Sequence, residues 1–223
     1  MRKKILQVLT IVCAASPAIG LAQAPKDAIF VTDEDIKAVL KYAADTKRTT
    51  PDNTLKVIDM GTYQLGVAVV HRGALAPANS AARGTVAAAP AANQAGRGAA
   101  PAQPACGEQR AGANGPNGIF HNDTAETYVV ISGSATLITG GTMVNGRQSP
   151  ADSEVTTILN GPSCNGTMVG YTSRQIKVGD IIVIPEHVPH GFSAIPDHVT
   201  YLSVRPDLKK VLQHGYVNPA LKK

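Results

Sequence analysis

Gly179-Asp180-Ile181-Ile182-Val183-Ile184-Pro185-Glu186-His187-Val188-Pro189-His190-Gly191 is the stretch on which the fold turns. It reads as a tight turn, a buried strand over 181–184, and a proline-braced loop presenting two histidines. His121-Asn122-Asp123-Thr124-Ala125-Glu126 is read together with it. An Asn-Asp pair followed by small residues is a plausible hairpin turn, so His121 and Glu126 are expected to face each other across a ladder. A nitrogen donor and a hard carboxylate would then meet near one point.

Working outward, short runs rich in Val, Ile, Thr and Tyr occupy 55–60, 63–71, 119–121, 127–131, 135–139, 155–159, 167–172 and 199–204. Turn residues separate them, among them Ser132-Gly133-Ser134, Gly140-Gly141 and Asn145-Gly146. Many short strands at close spacing predict a sandwich or barrel. An amino-terminal helix is expected from Thr32, a capping residue, with Asp33, Glu34 and Asp35 in the first turn, where the helix dipole favours negative charge. Ile36, Val39, Leu40 and Ala43 then recur at helical spacing up to about Thr46. A second short helix is expected over 206–213, stopped by Gly215.

Residues 75–118 are mostly Ala, Gly and Pro and show no period. Such a segment buries too little apolar surface to offset its ordering entropy, so a disordered loop insertion in a single domain is expected. Residues 25–74 offer only one helix and two strands, too little for a separate core.

Arg2, Lys3 and Lys4 precede an apolar run that closes with Ala22-Gln23-Ala24. That order marks a secretory signal over 1–24, which predicts a periplasmic or secreted mature chain not held in a membrane. The formal charge of +5 includes three basic residues of the signal, so the mature chain carries 5 − 3 = +2. No clustered basic face is visible, which argues against nucleic acid. Cys106 and Cys164 remain after cleavage, either bridged as one staple or free.

The two histidine-bearing segments, in this order, resemble the paired motifs of the cupin superfamily. The first motif reads His-x-His, three or four residues, Glu, six residues, Gly. His121 matches its second histidine, Glu126 follows after four residues, and Gly133 after six more. The second reads Gly, five residues, Pro-x-Gly, two residues, His, three residues, Asn. Gly179, Pro185 and His190 match it in register. Ile119 stands where the first histidine usually sits, His187 replaces the second motif's Gly, and Ala194 its final Asn.

The resemblance implies an all-β fold: an antiparallel cupin-type β-barrel, a double-stranded jelly roll, here with short amino- and carboxy-terminal helices. It also implies a divalent metal on His121, Glu126 and His190. Two histidines and one carboxylate suit Fe(II), and the same ligands accept Mn, Ni or Zn. The opposite reading stays open: a lost ligand marks a metal-free descendant that only binds small molecules. Tyr128, two residues beyond Glu126, shares its strand face and is the candidate proton donor, against a plain core role. His71 and His187 are weaker candidate ligands. Asp123 reads as turn-forming, and His198 and His214 as surface residues.

Cupin relatives include dioxygenases, isomerases, decarboxylases and lyases, so the fold does not choose the reaction. The expected partner is a small-molecule ligand or substrate, with a homodimer left open. A non-catalytic binding module and an interaction protein tethered by the insertion are the rival classes. A lectin is disfavoured, because the chain has no Trp and only 4% aromatic residues on which a sugar could stack.

Overall fold

The computed structural model describes residues 24–77 and 103–222. The expected signal over 1–24 and the middle of the expected insertion fall almost wholly outside these residues. Helix α1 (Asp33–Asp45) comes first. Thr32 caps it, and a reciprocal bond from the Thr32 backbone N–H to the Asp35 carboxylate completes a capping box.

Strands β1 (Asp52–Asp59), β2 (Gln64–Arg72), β3 (Ala105–Cys106), β4 (Asn117–His121), β5 (Glu126–Thr139), β6 (Thr142–Gln148), β7 (Ser163–Val169), β8 (Thr172–Lys177), β9 (Ile181–Ile184), β10 (His190–Ala194) and β11 (Val199–Asp207) follow. All their pairings are antiparallel. One sheet orders β1-β2-β11-β5-β9, and the other β3-β6-β7-β4-β10-β5-β8. Strand β5 belongs to both. Its first half pairs β11 and β9, and its second half pairs β10 and β8.

The expected turn at 132–134 is therefore no turn. Gly133 sits inside the continuous strand at φ +70°, and a Cβ there would lie 2.0 Å from the His198 carbonyl oxygen. Only glycine supplies that bend, and the bend carries β5 from one sheet to the other. The sheet does not close: no strand pairs the outer side of β3, and beyond β1 the pairing ends in one isolated bridge from Lys56 to Val217, so the barrel expected from the sequence is an open two-sheet fold among the described residues.

Between the sheets lie Val70, Tyr128, Val130, Leu137, Ile184, Ile195, Val199 and Tyr201. A second cluster, Val39, Leu55 and Val69, seats α1 on the outer face of β1 and β2. Strand β9 was expected to be buried, but Ile181 and Val183 are 66% and 67% exposed, because this edge strand covers the core with one face only.

Three further expectations are corrected. Residues 155–159 form a π-helical turn, not a strand. The Ser153 hydroxyl and carbonyl accept from the Thr156 N–H and Thr157 hydroxyl, which coils a β-branched run. No helix covers 206–213: β11 runs on to Asp207, whose carboxylate accepts the Val211 and Leu212 N–H groups and holds an irregular loop. The carboxy-terminal helical element is a 3-10 turn, Pro219–Leu221. Strand β6 runs through the supposed Asn145-Gly146 turn, with Asn145 at φ +53° in a bulge.

Residues 103–118, expected within the insertion, are fastened to the sheet. Strand β3 pairs β6, and Cys106 is bonded to Cys164 of β7. The small residues there permit close approach: a Cβ on Gly118 would meet the Met168 sulfur at 2.1 Å. Closing a loop across a sequence separation of 58 removes about 4 kcal/mol of unfolded-chain entropy on the chain-entropy account. Urea unfolding of the Cys106→Ser, Cys164→Ser double variant should show about 2–4 kcal/mol less stability than wild type. An unchanged midpoint would mean that the bridge does not hold this segment.

Candidate metal centre

His121 ends β4, Glu126 opens β5 and His190 opens β10. The expected hairpin between β4 and β5 does not form. Strand β4 pairs β7 and β10, and residues 122–125 cross from one sheet to the other. Asn122 N–H donates to the Pro162 carbonyl and the Thr124 hydroxyl to that of Asn160, which fixes the crossing. His121 and Glu126 thus meet across the inter-sheet space instead of across a ladder.

His121, Glu126 and His190 are buried, at 4%, 2% and 3% exposure. Their potential ligand atoms lie within 4.8 Å of one another. Glu126 Oε2 is 3.2 Å from His121 Nε2 and 3.1 Å from His190 Nε2. The same oxygen accepts the Tyr128 hydroxyl at 2.8 Å. Glu126 Oε1 accepts from Asn160 Nδ2, Ser203 Oγ and Arg205 Nε, each at 2.9 Å. With Oε1 so engaged, a cation would be bound through Oε2.

Hydrogen bonds at the other ring nitrogens assign the imidazole tautomers. His190 Nδ1 lies 2.9 Å from the Val188 carbonyl, which only accepts, so Nδ1 carries a proton. His121 Nδ1 lies 2.8 Å from Ser163 Oγ, whose own proton goes to the Gly161 carbonyl. His121 is therefore the donor there as well. In the neutral rings both Nε2 atoms carry lone pairs, and both are aimed at a carboxylate oxygen. Three electron-rich atoms at hydrogen-bond distance call for a cation between them or a proton on a ring.

Charge in the centre follows from its packing. Burial pushes the Glu126 carboxyl up, but the Arg205 guanidinium and the His121 and His190 contacts outweigh it and hold the group well below the usual carboxylate range. Burial lowers the His121 imidazole, with His190 and Arg205 adding to that effect against Glu126. Burial and the adjacent Glu126 raise the Tyr128 phenol well above its ordinary value, so it keeps the proton that it donates. Arg205 also pairs with Asp52 Oδ2 at 2.6 Å and donates to the Leu159 carbonyl.

The other sequence candidates lie elsewhere. His71 bonds the Thr200 hydroxyl through Nδ1. His187 stands at φ +62° and donates its N–H to the His121 carbonyl. That left-handed backbone is why the motif usually has Gly here. Asp123 pairs with Lys209, His198 with Ser132 and Asp197, and His214 with Gln64. Sequence reasoning missed Asn160, Ser203, Arg205 and Asp52. The parity of β11 carries a signal for two of these: Val199, Tyr201, Ser203 and Arg205 alternate inward.

No family profile matches the chain, and no protein of curated function matches it. Among solved structures it is similar to a Bacillus halodurans protein at 12% identity, over 88% of this chain and 92% of that one, with a TM-score of 0.37. It is similar to an oxalate oxidase at 14% identity, over 92% and 70% of the chains, with a TM-score of 0.33. A Lactobacillus farciminis oxalate decarboxylase is similar at 11% identity, over 72% of this chain and 34% of that one, with a TM-score of 0.29. Likenesses at this level carry no argument about activity.

Arg205→Met should leave the buried Glu126 and the half-buried Asp52 without their cation and cost about 3–5 kcal/mol in urea unfolding. Ser203→Ala removes one of three bonds to Oε1 and should cost about 1 kcal/mol. Equal losses would contradict the central place given to Arg205. The two motif segments, distant in sequence, converge on one His-His-Glu cluster within an antiparallel two-sheet fold.

Proposed function

We propose that this chain is an exported cupin-type metalloprotein that binds a small oxygen-bearing molecule at a divalent ion on His121, Glu126 and His190. The observation that carries the proposal is the convergence of two Nε2 lone pairs on Glu126 Oε2. Bound there, Fe, Mn, Ni or Zn would supply Lewis acidity, and a redox-active ion would also supply O₂ chemistry. An oxidoreductase, or a lyase or isomerase, fits such a centre. The chain's own contribution is to keep Glu126 ionised, to present both Nε2 atoms unprotonated, and to hold a phenolic proton on Tyr128 beside Oε2. Tyr128 is the proposed proton donor. The basic-apolar pattern of 1–24 and a disulfide that persists in oxidising compartments support export to the periplasm or beyond.

The rival reading is a metal-free binding module. The bond that Tyr128 already makes to Oε2 favours it, and it requires a proton on at least one Nε2.

Elemental analysis after dialysis against Fe(II), Mn(II), Ni(II) and Zn(II) separates the two. Wild type should retain about one ion per chain, His190→Ala should lose it, and Glu126→Gln should bind more weakly by keeping the shape without the charge. Ile119 lies two residues before His121 on the same face of β4, so Ile119→His should tighten binding and lower any activity that needs an open position. No metal on wild type would leave the binding-module reading. Equal retention by wild type and His190→Ala would place the ion elsewhere.

A further inference from the structure

Arg72 ends β2 opposite Val199 of β11, on the same strand face as the core residue Val70. Its side chain therefore enters the space between the sheets. The guanidinium lies over the Phe192 ring, with Cζ 5.1 Å from the centroid, and Nε donates to the Tyr201 hydroxyl at 3.3 Å. Phe192 belongs to β10 and Tyr201 to β11, so the arginine spans the gap between the two sheets.

The other interior arginine is matched, Arg205 lying between Glu126 and Asp52. Among the described residues Arg72 has no carboxylate partner, and Nε to Tyr201 is its guanidinium's hydrogen bond. A guanidinium presents five donors in a planar fork that fits a carboxylate, and stacking on an aromatic face leaves that fork free. Arg72 is half-buried, and a guanidinium held among aromatic rings without a directly paired carboxylate attracts an anion more strongly than one in bulk water.

Aromatic contacts lead from Arg72 to the His-Glu cluster. The Tyr201 ring lies 4.2 Å from that of Tyr128, and Phe192 lies 6.0 Å from Tyr201. Tyr128 then touches Glu126 and stands edge-on to His190 at 6.3 Å. The charges of Glu126 and Asp52 balance those of Arg205 and Arg72, so a divalent ion would leave the interior cationic.

The geometry points to Arg72 as the anion-holding end of the ligand site. With Tyr201 and Phe192 it takes the carboxylate of a small organic acid, whose remaining oxygens face His121, Glu126 and His190. The carboxylate assignment rests on Arg72 alone, and its orientation rests on the reading of the metal centre.

Calorimetric titration of malonate and its uncharged diamide, malonamide, tests this on EDTA-dialysed and Mn(II)-dialysed wild type, Arg72→Gln and Arg72→Lys. In EDTA-dialysed protein, malonate should bind wild type about tenfold to a hundredfold more tightly than Arg72→Gln, with Arg72→Lys between them. Malonamide should bind all three weakly. Equal malonate affinity for wild type and Arg72→Gln, or no malonate bound by EDTA-dialysed wild type, overturns the assignment. Should Arg72→Gln fail to fold by circular dichroism, wild type alone decides: malonate preferred over malonamide by less than about threefold overturns it. A failed metal centre shows separately, as Mn(II) dialysis that changes neither metal content nor affinity while the Arg72 difference persists.

Discussion

The buried ion pair between Glu126 and Arg205 is the constraint on which the centre depends. A carboxylate at 2% exposure would take up a proton if left alone in an apolar interior. Arg205 prevents this, and Asp52 balances Arg205 in turn. Such an arrangement is weak evidence for net stability, since removing two charges from water costs about what their attraction returns. Its effect is on orientation. Arg205, Ser203 and Asn160 occupy Oε1, so Oε2 is the oxygen turned toward the two imidazoles.

The fold brings these groups together from six places in the chain. Strand β5 carries Glu126 and Tyr128 at one end and crosses to the second sheet at Gly133, so both sheets are tied to the strand that holds the carboxylate. The π-helical turn over Val155–Leu159 delivers the Leu159 carbonyl and the Asn160 side chain, both of which bond groups of the centre. Inserted helical residues of this kind recur where a backbone is re-aimed at a site. The disulfide ties β3 to β7 at Cys164, next to Ser163, whose hydroxyl orients His121 from the strand paired with β4.

The all-β class, the amino-terminal helix and the cluster of His121, Glu126 and His190 were legible in the sequence, because each rests on local chemistry or on fixed spacing. A cap followed by helical periodicity has one reading. Two motifs in order place their histidines whatever the connections do. The route by which His121 reaches Glu126 was not legible, since an Asn-Asp turn is equally at home in a hairpin and in a crossing between sheets. Glycine misled most. Gly133 and Gly146 read as turn residues by composition, yet they lie where continuous strands bend or bulge, and Gly118, in a segment whose composition reads as disordered, lets Met168 pack closely. Arg205 was missed because Pro206 suggested that β11 had ended, although the inward parity from Val199 runs through it.

The tautomers of His121 and His190 are the most direct test of the central claim, that both Nε2 atoms are presented to a cation at Glu126 Oε2. Long-range ¹H–¹⁵N spectra of imidazole-labelled protein, recorded near neutral pH before and after one equivalent of Zn(II), report each ring nitrogen separately. Nδ1 should be protonated in both rings throughout, and Zn(II) should displace any Nε2 proton held toward Glu126 and shift both Nε2 signals to those of a bare, ligating nitrogen. A ring protonated at Nε2 that is unchanged by Zn(II) would contradict it.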